Sequence, residues 1–299
     1  MKTTFSWRHY KSLGIFLAAL ISMLAVYGLF SFLVTHPPTP TPISASLPTV
    51  PKRIVSLSPN LTEMLFFLGA ENRLVGVTTR CNYPPEAGKI RKVGDFGAPD
   101  LERIIALKPD LIIATSFENH PISLRFKELK LPYINYSAHK LADISDILLN
   151  LSAILANDSK NTAVSWKNSL ISLQKEQIKG SIPSIYIKLW PNSLMTAANN
   201  TFMDEIISLS GGKNIAHDLK GEYPELNIEF LLKQDPDIII IAYPLDQKEL
   251  KSIKGWDSLK AVKNGQVYGN FDPDILLRPG PRVLEGIAKI KEIIKSQEK

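Results

Sequence analysis

The sequence predicts an α/β protein of two similar lobes, each with a central, mostly parallel sheet flanked by helices. One long helix joins the lobes, and an N-terminal transmembrane helix precedes them. Three observations predict this: a weak internal repeat of helix–strand modules, one long amphipathic segment between the two copies, and an uncharged apolar run near the N-terminus.

The repeat is the most informative. Residues 100–114, DLERIIALKPDLIIA, align without gaps on residues 227–241, NIEFLLKQDPDIIII. Each copy starts with a helix-capping residue, continues as a short amphipathic helix, turns at Pro-Asp and enters an apolar run. Such Leu/Ile runs suit parallel strands buried on both faces. A second pair of modules follows the same order. Thr62-Glu63 through Gly69 and Asn72 resembles Asp204-Glu205 through Gly211 and Asn214. Ahead of the first copy, residues 53–57 read as a strand. Ser58-Pro59 reads as a cap with proline in the first helical turn, and Leu61, Met64, Leu65 and Leu68 keep helical spacing up to Gly69. Between the copies, Ala163, Trp166, Leu170 and Leu173 hold one face of a helix over residues 159–179, about 30 Å long. The lobes are therefore expected at residues 52–157 and 181–299, with the connecting helix at 158–180. A chain of 299 residues is long enough for two such cores.

Residues 13–34 contain no charged residue and would span about 33 Å as a helix, enough to cross a hydrocarbon layer. Lys2, Arg8 and Lys11 precede this run, and no Lys or Arg follows until Lys52. The charge bias puts residues 1–12 in the cytoplasm and both lobes on the extracytoplasmic side of the cytoplasmic membrane. An uncleaved anchor is expected on length; a cleaved signal peptide, with small residues at 44–46, is the competing reading. No cysteine stands directly after the run, so a lipid-anchored N-terminus is not expected. Residues 35–51 hold six prolines and read as an extended stalk.

Composition narrows the function. The apolar share is 44% and the charged share 21%, as in globular chains, and the formal charge is +6. No dense basic patch is interleaved with aromatics, so no nucleic-acid partner is expected. The single cysteine, Cys81, builds neither a disulfide framework nor a multi-cysteine zinc site. Phosphate-loop, nucleophile-elbow, HExxH and EF-hand patterns are absent, and the five histidines are scattered. Neither an enzyme, nor a resident cofactor, nor a bound metal is expected.

Several residues stand out, each with two readings. Glu102 and Glu229 occupy the same place in the repeat, off the apolar faces set by Leu101, Ile104 and Ile105 and by Ile228, Leu231 and Leu232. Each complements its helix N-terminus; as a matched outward pair they also suit docking on a pseudo-symmetric partner. Cys81 could touch a ligand or could be a small packed hydrophobe. Phe96, Trp190 and Tyr223 lie where strands or loops give way to helices, the usual rim of an α/β ligand crevice. They could bind a flat ligand or plug the core. Arg278 and Arg282, in a rigid RPGPR turn, suit anionic or amide-bearing ligands, or are solvated charges before a helix.

The segments RIVSLSPNLTEMLFFLG, VGVTTRCNYPPEA, KVGDFGAPDLERIIALKPDLII, EYPELNIEFLLKQDPDIIII and RPGPRV span both lobes. Together they resemble the helical-backbone class of ABC transporter substrate-binding proteins, most nearly its periplasmic cobalamin-binding members. The resemblance implies a monomer that captures cobalamin or a related corrinoid in the cleft between rigidly joined lobes. It would hand the cargo to a permease dimer with ATPase subunits, docking through Glu102 and Glu229 on permease arginines. It further implies ligand contacts at Cys81, Tyr83, Phe96, Trp190, Tyr223 and Arg278. Phe96 departs from the family's tryptophan, and Cys81 stands where a small polar residue occurs. Siderophore and haem binders share the first four segments' themes, so a ferric siderophore or haem is the alternative cargo. A surface enzyme or adhesion module is a third reading and lacks a nucleophile or metal constellation.

Overall fold

The computed structural model describes residues 49–117, 120–176, 180–270 and 272–297. The expected basic segment, the apolar span at 13–34 and most of the proline-rich stalk lie outside the described residues. Among the described residues no helix is long and apolar enough to cross a membrane.

The first lobe contains β1 (Ile54–Ser56), β2 (Leu74–Val77), the hairpin strands β3 (Gly94–Asp95) and β4 (Ala98–Pro99), β5 (Leu111–Thr115) and β6 (Tyr133–Tyr136). Its main sheet has the order β2-β1-β5-β6, with every pair parallel. The second lobe contains β7 (Ser184–Lys188), β8 (Lys213–Asn214), β9 (Ile238–Ile241) and β10 (Val267–Tyr268). Its sheet order is β10-β9-β7-β8, again parallel throughout. Setting the β3–β4 hairpin aside, both sheets run second, first, third, fourth strand. The duplicated topology is the structural counterpart of the sequence repeat.

The helices are α1 (Pro59–Phe67), α2 (Leu101–Ala106), α3 (Pro121–Glu128), α4 (Leu141–Leu155) and α5 (Lys160–Lys175), then α6 (Phe202–Leu209), α7 (Ile228–Gln234), α8 (Gln247–Ser252), α9 (Lys260–Lys263), α10 (Asp274–Leu277) and α11 (Val283–Ser296). In the repeated module, Asp100 caps α2 by accepting the Arg103 N–H, and Asn227 caps α7 by accepting the Phe230 N–H. Each module then turns through a left-handed residue at the same place, Lys108 (φ 47°) and Asp235 (φ 41°). The aspartate of each Pro-Asp reaches across to the neighbouring strand. Asp110 accepts the Lys52 and Arg53 N–H groups at 2.8 Å; Asp237 accepts the Ser184 N–H at 2.8 Å and its hydroxyl at 2.7 Å. These contacts set the register of the central strand pair in each lobe, Ile54 opposite Leu111 and Ile185 opposite Ile238.

Strand alternation distributes the core. Ile54, Ile185, Ile187, Ile238 and Ile240 belong to one large apolar cluster with residues of α1, α4, α5, α6 and α11. The opposite sheet faces carry their own clusters, around Val55, Ile112 and Phe126 and around Tyr186, Ile239 and Trp256. The lobes thus share an interior, where separate cores were expected.

Three expectations differ locally. Ser58 does not cap α1; its hydroxyl accepts the Thr115 N–H at the end of β5, while Pro59 takes the expected first helical position. The connecting helix is shorter than expected, 16 residues ending at Lys175, because Glu176 is extended. It packs against α4, reached through Ala156 in the left-handed conformation. Ala163, Trp166 and Leu170 form its buried stripe, with Leu173 partly buried against the same cluster. Finally, Ile105 and Leu232 were expected on the buried faces of their helices and are exposed; Ile104 and Leu231 supply the core contact.

Burial pushes the Asp237 carboxyl up, but the Lys260 ammonium and the Ser184 donors outweigh it, so its pKa lies below the usual value. Its contribution to stability is therefore present above the ordinary carboxylate range and lost as pH falls through the folded-state pKa. Asp237→Asn should lower stability by about 1–2 kcal/mol at neutral pH. In urea melts across a pH series, the gap from wild type should close below about pH 4.

Candidate functional site

In parallel α/β sheets ligands gather at the carboxyl ends of the strands. In the first lobe those ends lead to the Tyr83 loop after β2 and to Phe117 after β5. Phe96 stands at the tip of the β3–β4 hairpin, where Asp95 pairs with Ala98 and Phe96-Gly97 forms the turn. Gly94 is required there: a Cβ would lie 2.6 Å from the Ala98 carbonyl oxygen, and its φ is 105°. Asp95 fixes the turn by accepting the Thr79 hydroxyl at 2.6 Å and the Phe96 N–H at 2.9 Å. These two donors, with Arg80 close by, hold its carboxyl below the usual range. The Phe96 ring sits 6.1 Å from that of Phe117, and Phe117 stacks on His120 at 4.5 Å.

In the second lobe, β7 ends at Lys188, whose side chain is fully buried. Its ammonium donates to the Trp190 carbonyl at 2.6 Å and to Glu249 at 3.0 Å, and lies 4.9 Å from the Tyr243 ring centre. Glu249 also accepts the Tyr243 hydroxyl and the Asn192 N–H. Burial pulls the Lys188 pKa down against Glu249. On Glu249 burial acts upward, and the Tyr243, Lys188 and Asn192 donors more than reverse it. This buried network fixes the loop that leaves the Trp190 side chain two-thirds exposed. Tyr223 is also exposed. It is the counterpart of Phe96: each stands four residues before its helix cap, Asn227 and Asp100. The repeat therefore extends further upstream than the gapless alignment and sets one exposed aromatic on each lobe.

Between the lobes lies an ionic clamp. Glu63 of α1 is buried, with Arg282 on both of its oxygens at 2.8 and 2.9 Å and Arg278 at 2.8 Å. Asp272 binds Arg282 at 2.5 Å, and Asp274 binds Arg278 at 2.7 Å. Burial works against the Arg282 charge, but Glu63 and Asp272 overcome it and raise its pKa. Arg278 also donates to Asn82 at 2.9 Å, and the Arg282 guanidinium lies 3.7 Å from the centre of the Tyr83 ring.

The sequence-predicted residues therefore separate by environment. Tyr83, Phe96, Trp190 and Tyr223 present exposed aromatic surface. Cys81 is 1% exposed, within hydrogen-bond reach of the Thr62 and Thr78 hydroxyls at 3.1 and 3.2 Å; this is the packed environment of its two readings. Arg278 spends its donors on Glu63, Asp274 and Asn82, so it sits in the clamp rather than open to solvent. Glu102 and Glu229 are exposed at the second position of α2 and α7, and among the described residues neither carboxylate has a side-chain partner. Sequence reasoning missed Phe117, His120 and the Lys188–Glu249 pair. The cue for the last was an isolated lysine closing an otherwise apolar strand. Among the described residues no group of three His, Cys, Asp or Glu could hold a metal ion.

Residues 54–270 match the model of the periplasmic binding protein family. The chain is 32% identical to the uncharacterized ABC transporter substrate-binding lipoprotein YvrC of Bacillus subtilis, over 82% of this chain and 80% of that one. It is 29% identical to the vitamin B12-binding protein of Vibrio cholerae, over 87% and 95%. The crystal structure of the periplasmic vitamin B12-binding protein BtuF of Vibrio cholerae superposes with a TM-score of 0.70 at 28% identity, covering 84% of this chain and all of that one.

Removing Glu63 would leave three shielded arginine N–H groups, Nε and Nη2 of Arg282 and Nη1 of Arg278, without their acceptor, although Asp272 and Asp274 still balance the charge. Glu63→Ala should therefore lower stability by about 3–5 kcal/mol in urea unfolding. A loss under about 1 kcal/mol, the range of exposed pairs, would show that the clamp is not closed in solution.

Proposed function

The chain belongs to the periplasmic binding protein family of ABC-type substrate-binding proteins, and on that premise we propose that it captures a cobalamin-type corrinoid outside the cytoplasmic membrane and delivers it to an ABC importer. One observation carries the choice of cargo: the repeat places exposed aromatics Phe96 and Tyr223 at equivalent positions of the two lobes. Tyr83 and Trp190 add exposed rings after β2 and β7. A broad, nearly planar macrocycle with an amide-bearing rim suits aromatic walls that supply apolar contact with hydroxyl and indole donors at their edges. The named vitamin B12-binding relatives support the same reading. No reaction on the cargo is required; capture and release suffice. Residues 13–34 anchor the protein, and residues 35–51 hold the lobes off the membrane. Glu102 and Glu229 dock on a permease dimer with its ATPase subunits.

Haem is the second reading, favoured by His217. Its Nδ1 is held 2.9 Å from the buried Asp204 carboxylate, and its ring is half exposed, an arrangement that orients Nε2 as a metal ligand.

Titration of the purified protein with cyanocobalamin should shift the corrin absorption and quench tryptophan fluorescence. Phe96→Ala and Tyr223→Ala should each weaken binding by about tenfold, near 1.4 kcal/mol. Silence at micromolar cyanocobalamin, with a haemin Soret shift lost in His217→Ala, would select haem instead. Separately, Glu102→Arg combined with Glu229→Arg should abolish cargo uptake by cells while leaving affinity unchanged; normal uptake would remove the docking assignment.

A further inference from the structure

The helices that carry Glu102 and Glu229 share a second feature. Three residues on, Ile105 and Leu232 occupy equivalent places in the repeat, and both are exposed, at 41% and 38%. The fold does not need them there, because the preceding residues, Ile104 and Leu231, are fully buried and make the core contact. Residues three apart on a helix are surface neighbours. Each lobe thus offers one carboxylate without a side-chain partner among the described residues, beside one partly exposed aliphatic side chain, in the same order on both lobes. Other exposed aliphatics, such as Leu124 and Ile182, have no counterpart of this kind in the repeat.

We propose that Ile105 and Leu232 are the apolar half of the docking face, so that each lobe meets one subunit of a two-fold permease through a carboxylate–aliphatic pair. This rests on the docking reading above and deepens it. Charge complementarity and duplication select the partner. A duplicated acidic-and-apolar pair fits a dimer that presents, once per subunit, a guanidinium or ammonium beside a small apolar pocket. An exposed ion pair alone contributes little, whereas an aliphatic anchor that excludes water around it strengthens the contact.

Photo-crosslinking in the native cell, with the full-length chain, tests this. Benzoylphenylalanine replaces Ile105, Leu232 or, as a control, Leu124, and adducts are identified by mass spectrometry. Positions 105 and 232 should both yield adducts with the same polytopic membrane subunit, and position 124 none. Ile105→Ser with Leu232→Ser should lower uptake at least tenfold without changing cargo affinity or melting temperature. Adducts only with a second copy of this chain, or none from either position, would overturn the proposal. Loss of uptake on Glu102→Arg with Glu229→Arg, alongside silent crosslinks and a neutral serine double variant, would overturn the aliphatic contact alone. Adducts that survive the charge reversal undiminished would instead remove the carboxylates from the interface.

Discussion

The buried carboxylate of Glu63 is the constraint on which the arrangement of the two lobes depends. It belongs to α1, directly behind the first strand of the first lobe, and both of its oxygens are held by arginines from the segment that leads into α11. Charges taken out of water are tolerated only when geometry and counter-charge are nearly complete. Here they are: Asp272 and Asp274 balance the second ends of the two guanidinium groups, and the Tyr83 ring covers Arg282. Such a cluster has one favourable arrangement. A small rotation between the lobes would separate its members without giving them water in exchange. The Trp166 indole donating to the Pro281 carbonyl and the Asn60 amide donating to the Pro279 carbonyl fasten the same segment to α5 and α1.

Stiffness was expected from the connecting helix, yet α5 is only 16 residues long and works as one member of a shared interior. The continuous apolar cluster and the ionic clamp act together. The first supplies non-directional stabilisation over a large area, and the second selects a single relative orientation. The Asp110 and Asp237 contacts then pin the strand registers from which the rim loops depart. The loops that carry Tyr83, Phe96, Trp190 and Tyr223 thus depart from fixed strand ends.

What could be read from sequence follows the range of each interaction. Caps, left-handed turns and Pro-Asp junctions are local, so the alignment of residues 100–114 on 227–241 located both copies of the module, and the matching strand order of the two sheets follows from duplication. The second module pair was legible for the same reason, each copy ending in a positive-φ glycine, Gly69 and Gly211. Facing was less legible. In a helix of six or seven residues, neighbouring aliphatics such as Ile104 and Ile105 both fit an apolar stripe, and only the packed sheet beneath decides which is covered. Long-range pairing was not legible at all. Nothing near Arg278 in sequence points to Glu63, and nothing near Cys81 announces that Thr62 lies against it. Phe96 and Tyr223 were each identified as rim aromatics; their equivalence also lies in the sequence, four residues before each cap, but the intervening residues 97–99 and 224–226 differ too much to extend the alignment.

The ties between the lobes are unequal. Glu63, Arg278 and Arg282 are shielded from solvent, whereas the His139–Glu222 pair, at 3.1 Å, joins the lobes with both side chains about half exposed. An exposed pair is screened by salt and worth at most about 1 kcal/mol, and this one is ionic only when the imidazole is protonated. The Leu141 N–H donated to Glu205 is intermediate: burial raises the Glu205 carboxyl pKa, and the N–H opposes that rise. The exposed pair is therefore the weakest of these ties and the clamp the strongest. Glu222 is adjacent to Tyr223, so the weakest tie lies beside one of the two matched aromatics.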